Sequence, residues 1–463
     1  MQLATQTYCR KFERLAAPLS DCLAFDDAGG FSMLKKAFFI FIVLSPLWPT
    51  YVGIKFADLP ILNISRFFSV MVLFLLVTHS FLLPGWLGKQ TKKLKKAPLS
   101  SVIGIYFAWR LISAATSTRP GYSFFIVAVD LLLQYQFYLI AALFINTKND
   151  FFAAIRYFTF AGAIVVSFSL IEAQTQRNFF AAFAPASSSA DYINAAVSEK
   201  IRDGYRIQAG FLHPLVLANY LVLIVPLSIG VFINKAYGSV TRYIALYASI
   251  GGILATVYTG SRSGILILGL EFIIGIFLMA VSMKKNAWGV FKMMNLSIIA
   301  IVAGILGFGA GGKLVEGRSS AESMSSMARV DQLNASLAVL QTSPILGVGP
   351  GLAASYAYTE NADGVRSLDS FFLTVLVESG VIGLLLFLAL LVCAFTRTMK
   401  LLPVGDIINR SSLQAISISI VGATAFCSIL SIYEIFPYLF SFFGLISAYQ
   451  RISVSNIVNK NFT

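Results

Sequence analysis

Charge is scarce in this sequence. Only 12% of its 463 residues are Asp, Glu, Lys or Arg, and 57% are hydrophobic; soluble domains carry about 25% charged residues. So little charge cannot cover a water-exposed surface, which excludes a set of soluble domains and a disordered chain. The mean hydropathy of +0.78 agrees. Cysteine is scarce too. The four at positions 9, 22, 393 and 427 form no CxxC or CxxxC pair, so neither a disulfide framework nor a zinc site follows. There is no P-loop, HExxH, GxSxG or DxD pair. An enzyme with this chain has to work without nucleotide or metal, and no cofactor is expected. The first residues, to about position 35, are mixed and polar and lack the short apolar region of a signal peptide.

What the chain has is long apolar runs. A bilayer-crossing helix needs about 20 mostly apolar residues. Twelve segments qualify, near 37–54, 59–83, 98–116, 123–145, 153–173, 209–233, 243–259, 264–283, 296–312, 371–396, 412–432 and 434–452. The expected fold is all-α, a polytopic integral membrane protein of about 12 transmembrane helices. The net charge of +14 would suggest nucleic acid in a soluble protein, but the basic residues lie between the apolar runs and read as membrane topology. With the N-terminus cytoplasmic, 22 of the 35 Lys and Arg fall inside, including Lys89, Lys92, Lys93, Lys95 and Lys96, and 11 fall outside. Acidic residues lean the other way. Both termini are therefore expected in the cytoplasm.

The organisation that follows is a cytoplasmic tail over 1–36, nine spans over 37–312, an outer loop over 313–370 between helices 9 and 10, and three spans with a cytoplasmic tail over 371–463. A further outer loop runs near 174–208. Both long loops lie on the side without nucleotide sugars, and loops this long are usually functional or disordered. Within the second, Val330, Leu333, Leu337 and Leu340 recur at helical spacing. This predicts an amphipathic helix over 327–341 on the outer surface, ended by Ser-Pro and a glycine-rich turn.

Few residues can carry chemistry. Arg262 stands in TGSRSG, residues 259–264, a tight outer turn whose backbone N–H groups suit an anion; the bland reading is one charge kept in water. Arg206, before AGFLHP, is a second guanidinium at that interface or an interfacial anchor. His213, before Pro214, is a relay or a partner for the Pro-disrupted backbone. Arg329 opens the amphipathic helix and could meet a phosphate, or belongs to a solvated face with Asp331. The turn LGVGPG holds Gly347, Gly349 and Gly351 and is no dinucleotide fingerprint; it reads as a tight surface loop near a substrate. Asp369 closes the second loop as a base or a helix cap. Glu378, nine residues on, lies inside a span, where a charge is costly and usually has a purpose. Asp130, Glu172 and Glu271 are sites or packing contacts.

Taken together, four segments give a family resemblance: RIQAGFLHPLVLANYL at 206–221, TGSRSG at 259–264, ARVDQLNASLAVLQTSPILGVGPG at 328–351 and DSFFLTVLVESGVIGLL at 369–385. In this order, on this topology, the chain resembles the O-antigen ligase/polymerase superfamily of bacterial membrane proteins. The resemblance implies a metal-independent glycosyltransferase of the inner membrane whose donor is a polyprenyl-diphosphate-linked glycan. Its partners would be that glycan, membrane lipid, a flippase and a chain-length regulator, with no nucleic acid. It also implies that Arg206 and Arg262 hold the diphosphate, that Arg329 opens the loop helix, and that Gly347, Gly349 and Gly351 are the loop's signature. Ligases of the family usually show histidine followed by Asn or Ser where this chain reads Asp369-Ser370. Aspartate there looks more like polymerases of capsule, exopolysaccharide or O-antigen, and a carboxylate can also accept a sugar hydroxyl proton. The readings are a polysaccharide polymerase, a ligase to lipid A-core, and, in another class, a secondary transporter or lipid flippase. No internal repeat of the transporter kind is visible.

Overall fold

The computed structural model describes residues 31–54, 62–82, 85–183, 205–283, 320–360, 366–402, 407–431 and 433–460. Helices dominate. In chain order they are α1 (Phe31–Leu44), α2 (Ile64–Leu82), α3 (Trp86–Lys95), α4 (Ser100–Ala115), α5 (Pro120–Phe144), α6 (Lys148–Thr175), α7 (Pro214–Ile233), α8 (Ser239–Tyr258), α9 (Arg262–Met283), α10 (Ser320–Thr342), α11 (Phe371–Leu401), α12 (Ile407–Cys427) and α13 (Phe436–Lys460). The strands among the described residues are two-residue ribbons, Gly53–Ile54 with Leu62–Asn63 and Thr359–Glu360 with Arg366–Ser367. The all-α membrane fold therefore stands.

A helix covers most of each expected span except 37–54, where α1 ends at Leu44, and 296–312, which lies outside the described residues. Among the described residues six helices are long and apolar enough to cross a membrane, or seven if α3 and α4 count as one bent pair. The count of twelve is not reached among the described residues. Most of the 174–208 loop and the first part of the 313–370 loop also lie outside them.

Local sequence sets the helix ends. Thr147 and Asp150 form a reciprocal capping box at the start of α6, satisfying two otherwise orphaned N–H groups. α7 is apolar on all faces and accordingly central, packed against α6, α8, α9 and α12. α9 and α12 run antiparallel along a regular seam. Ile267 clusters with Phe426, a Cβ on Gly422 would fall on the Glu271 carboxylate, one on Gly275 would meet Ile418, and Gln414 donates to the Leu278 carbonyl at 3.0 Å. The glycines let the two backbones approach closely.

The bundle has two ends. At one, Lys35 pairs with Asp150 at 2.8 Å and Arg451 donates to the Ile145 carbonyl at 2.8 Å. At the other, Thr50 donates to Glu434 at 3.2 Å, Tyr205 to Glu172 at 3.0 Å, and the Thr374 and Ser431 hydroxyls meet at 3.2 Å. Each contact joins residues that the alternation of spans assigns to the same face.

Candidate functional site

The second end gathers the arginines. Glu172, buried at the end of α6, accepts from Tyr205 Oη, from the Gln208 N–H at 3.2 Å and from the Ala209 N–H at 2.6 Å. One carboxylate thus fixes the chain as it returns from the first long loop. Ala209 adopts a left-handed φ of 49° there, uncommon for a residue with a Cβ. Arg206 lies inside this anchored stretch. Its Nε donates to the Thr259 carbonyl at 2.7 Å, and the Ile207 N–H reaches Tyr258 O at 3.3 Å. The Arg206 side chain therefore lies across Gly260, at the turn that leads into Arg262.

The turn itself is internally bonded. Gly260 N–H goes to Val257 O, Ser261 N–H to Thr259 Oγ1, and Gly264 N–H to Ser261 Oγ. Ser261 so caps α9, and Arg262 is its first residue. Of the expected anion nest of glycine and serine N–H groups, these three donors are already taken. What the turn presents at its surface is guanidinium, from half-buried Arg206 and half-buried Arg262. Of the two readings of His213, the contact present is the one to the backbone. The residue is the N-cap of α7, and its Nδ1 accepts from the Leu215 N–H at 3.1 Å.

The second part of the site hangs on α11. This helix is broken at Gly380, whose φ of 68° and ψ of −172° are non-helical. The glycine-rich turn fills the break. Val348 N–H donates to Val377 O at 2.9 Å, Gly349 N–H to Glu378 O at 3.0 Å, and Val381 N–H to Pro344 O at 2.9 Å. Ser113 Oγ lies between the Glu378 and Leu346 carbonyls at 2.7 and 2.8 Å, and Trp109 donates to Ser379 O at 2.9 Å. In a bilayer each unmade backbone bond costs several kcal/mol, and the loop supplies what the break removes. Gly347, Val348, Gly349 and Pro350 are buried. The expectation of a surface loop near substrate is corrected: Gly347, Gly349 and Gly351 form an interior dock.

Glu378 locks this dock. One carboxylate oxygen accepts from the Gly351 N–H at 2.8 Å and the other faces Arg110 at 3.4 Å. Arg110 reaches Asp130 at 2.6 Å, and Gln134 donates to Asp130 at 2.8 Å. Arg110 carried no site reading in the sequence, and Asp130 only that of a site or a packing contact; the signal of both was charge within a span. A buried carboxylate shared between a guanidinium and a backbone N–H anchors the loop.

Beyond the dock, α10 spans Ser320–Thr342, longer than the expected 327–341. Val330, Leu333 and Leu337 are 57%, 44% and 45% exposed. The packed face is Gln332, Ser336, Ala335 and Val339, against Val348, Leu352 and Leu373. Small and polar residues allow the closer approach to α11, so the apolar stripe turns outward. Gln332 is buried, and its Oε1 accepts the Asp369 N–H at 3.0 Å. Arg329, exposed one turn earlier, is a helix neighbour of Gln332. The residue ahead of α11 in the cap position is Ser370, not Asp369.

Asp369 and Arg262 open α11 and α9, and both helix starts lie beside the end of α12. Thr374 touches Ser431 just beyond it, and Ile267 clusters with Phe426 on its last turn. The same end of the bundle thus holds Arg206, Arg262, Arg329 and Asp369. Two cavities of about 360 Å³ lie elsewhere, one against α6 and α8 and one between α4 and α5. No metal-ligating cluster is present among the described residues.

Residues 247–388 match the family model described as O-Antigen ligase. The stretch contains the TGSRSG turn, Arg329, the glycine dock, Asp369 and Glu378, so over these residues the chain is similar to that family. No curated protein gives a significant match.

Proposed function

We propose that this protein is a membrane glycosyltransferase that polymerises polyprenyl-diphosphate-linked oligosaccharide units into a surface polysaccharide. The observation that carries the reading is the gathering of Arg206 and Arg262 at one turn, on the bundle end that also bears Asp369. Guanidinium suits a diphosphate because it offers paired donors in a rigid fork. The leaving diphosphate gains charge as its bond to the anomeric carbon breaks, and the two arginines stabilise that charge. The attacking hydroxyl of the acceptor sugar forms the new glycosidic bond and gives its proton to Asp369. Arg329 binds a phosphate or sugar hydroxyl from the loop helix. Gly347, Gly349, Gly351 and Glu378 serve by holding the loop in place. No step needs nucleotide, metal or cofactor. The chain is placed in the bacterial inner membrane with twelve spans and both termini in the cytoplasm, so the reacting end is periplasmic.

The description of the matched family favours a second reading, a ligase that moves glycan to lipid A-core in one transfer. One assay separates them. Purified protein is given polyprenyl-diphosphate oligosaccharide in the presence of chelator, with and without lipid A-core. A ladder of lengthening lipid-linked oligomers is expected. A single transfer onto lipid A-core, with no ladder, supports the ligase. Proton-coupled solute uptake without any transfer would overturn both.

A further inference from the structure

A second polar cluster lies at the bend between α3 and α4, at the opposite end of the bundle from the arginines. The two helices meet at 103°. With α4 crossing the bilayer, α3 lies in the membrane surface. α3 and the residue after it carry Lys89, Lys92, Lys93, Lys95 and Lys96. Trp86 and Gln90 are buried while Leu87 is exposed, so the helix has a packed edge and a basic, partly apolar one. Five ammonium groups so close repel each other. Burial, and then the charge of Arg451, push the Lys93 ammonium below its ordinary value. An anion among them would relieve both.

Beneath this helix opens a cleft of about 360 Å³ whose lining includes Lys95, Ser101, Gly104, Phe107, Leu131 and Leu139. Polar groups stand at its lysine end and apolar ones along its length. Two features keep it open. At Gly104 nothing lies within 4 Å of where a Cβ would stand. Opposite, α5 passes through a π-turn at Leu131–Tyr135, a widening that often marks functional positions. A topology signal needs lysines alone; it does not need a cleft continuous with them.

We infer that this cleft binds one anionic phospholipid, with its phosphate on the α3 lysines and one acyl chain lying along Gly104, Phe107 and Leu131. Its leaflet is the one on the lysine-rich side. Positive juxtamembrane charge is matched by an anionic headgroup, and the shape and polarity of the cleft are matched by a single chain. This site is separate from the proposed reaction, at the other end of the bundle.

The test uses the full-length protein, delipidated in neutral detergent and titrated with micellar phosphatidylglycerol or phosphatidylcholine. Thermal melting and retained lipid, read by native mass spectrometry, are followed. Phosphatidylglycerol is expected to raise the melting temperature and to remain bound, and phosphatidylcholine is not. The combined Lys92→Gln, Lys95→Gln and Lys96→Gln variant should lose roughly a hundredfold in phosphatidylglycerol affinity. Gly104→Trp fills open space, so it should melt as the parent does without lipid yet retain no phosphatidylglycerol. Equal stabilisation by phosphatidylcholine overturns the site. Parental affinity in Gly104→Trp overturns the cleft, and parental affinity in the lysine variant overturns the headgroup assignment. Displacement of the lipid by an equal concentration of inorganic phosphate would show a soluble-anion site instead.

Discussion

At Arg262 shape and charge can be told apart. Its neighbour Arg206 is tethered through Nε to Thr259 O, and the Gly260, Ser261 and Gly264 N–H groups of the turn are occupied, so the grip on an anion there falls mainly to side chains. Lysine keeps the charge but loses the fork. Arg262→Lys is expected to slow transfer about a hundredfold, the usual loss for one preorganised charge contact, with unchanged protein level; initial rates with the lipid-linked donor measure it. Asp369→Asn is expected to lose about 10²–10⁴-fold, while Asp369→His keeps part of the activity because imidazole also accepts a proton. Helix capping does not confuse this result, since Ser370 holds the cap position. Near-normal polymer from Asp369→Asn would remove Asp369 from the mechanism. His213 is different: Asn can replace its capping acceptor but cannot relay a proton. His213→Asn should therefore retain activity, and loss of transfer at normal expression would assign it a reactive role.

Among the elements, α11 and its docked loop decide whether the site exists. Gly380 has a positive φ, and a Cβ there would run into the Ile345 carbonyl; at Gly349 a Cβ would collide with Ser117. Neither position tolerates alanine without moving the loop that carries Gln332 toward Asp369. The charge cluster behind the loop makes a sharper test. Arg110→Met leaves Asp130 and Glu378 buried without their guanidinium, a loss of about 3–5 kcal/mol, and little folded protein should be recovered. Adding Asp130→Asn and Glu378→Gln removes the uncompensated charges and should restore a monodisperse protein by size-exclusion chromatography. Failure of the neutral triple variant to recover, with the single variant also unfolded, would mean that the cluster does more than balance charge.

For the molecule as a whole the decisive quantity is sidedness. The contacts sort residues into two ends, and in the proposed topology the lysine-rich α3 end is the cytoplasmic one. Single cysteines at Asn334 and Lys89, in a background without the four native ones, are expected to label oppositely. In intact spheroplasts an impermeant thiol reagent should reach position 334 and not position 89, which should label after lysis. The reverse pattern would invert the protein and place the arginine end beside cytoplasmic nucleotides, which the reading cannot accommodate.

Composition and periodicity alone settled that this chain is a helical membrane protein, because hydropathy and the positive bias of loops are properties of segments that need no partner. The motifs pointed to Arg206, Arg262 and Asp369 for the same reason: each lies near the end of an apolar run, at a surface that the runs define, while Arg329 follows from the helical spacing within the second loop. The role of the glycines was not legible, because a turn whose N–H groups serve a broken helix looks in sequence like a turn exposed to solvent; only the positive φ at Gly380 and the pairing with Val377 and Glu378 tell them apart. Which face of α10 packs was not legible either, because hydrophobic spacing marks a stripe without saying what it faces; here Gln332 and Ser336 are buried and the stripe points away. Nor can sequence pair Arg110 with Asp130 and Glu378, 20 and 268 residues apart. A buried charge chooses its counter-charge by distance in space, and that distance exists only once α4, α5 and α11 have packed.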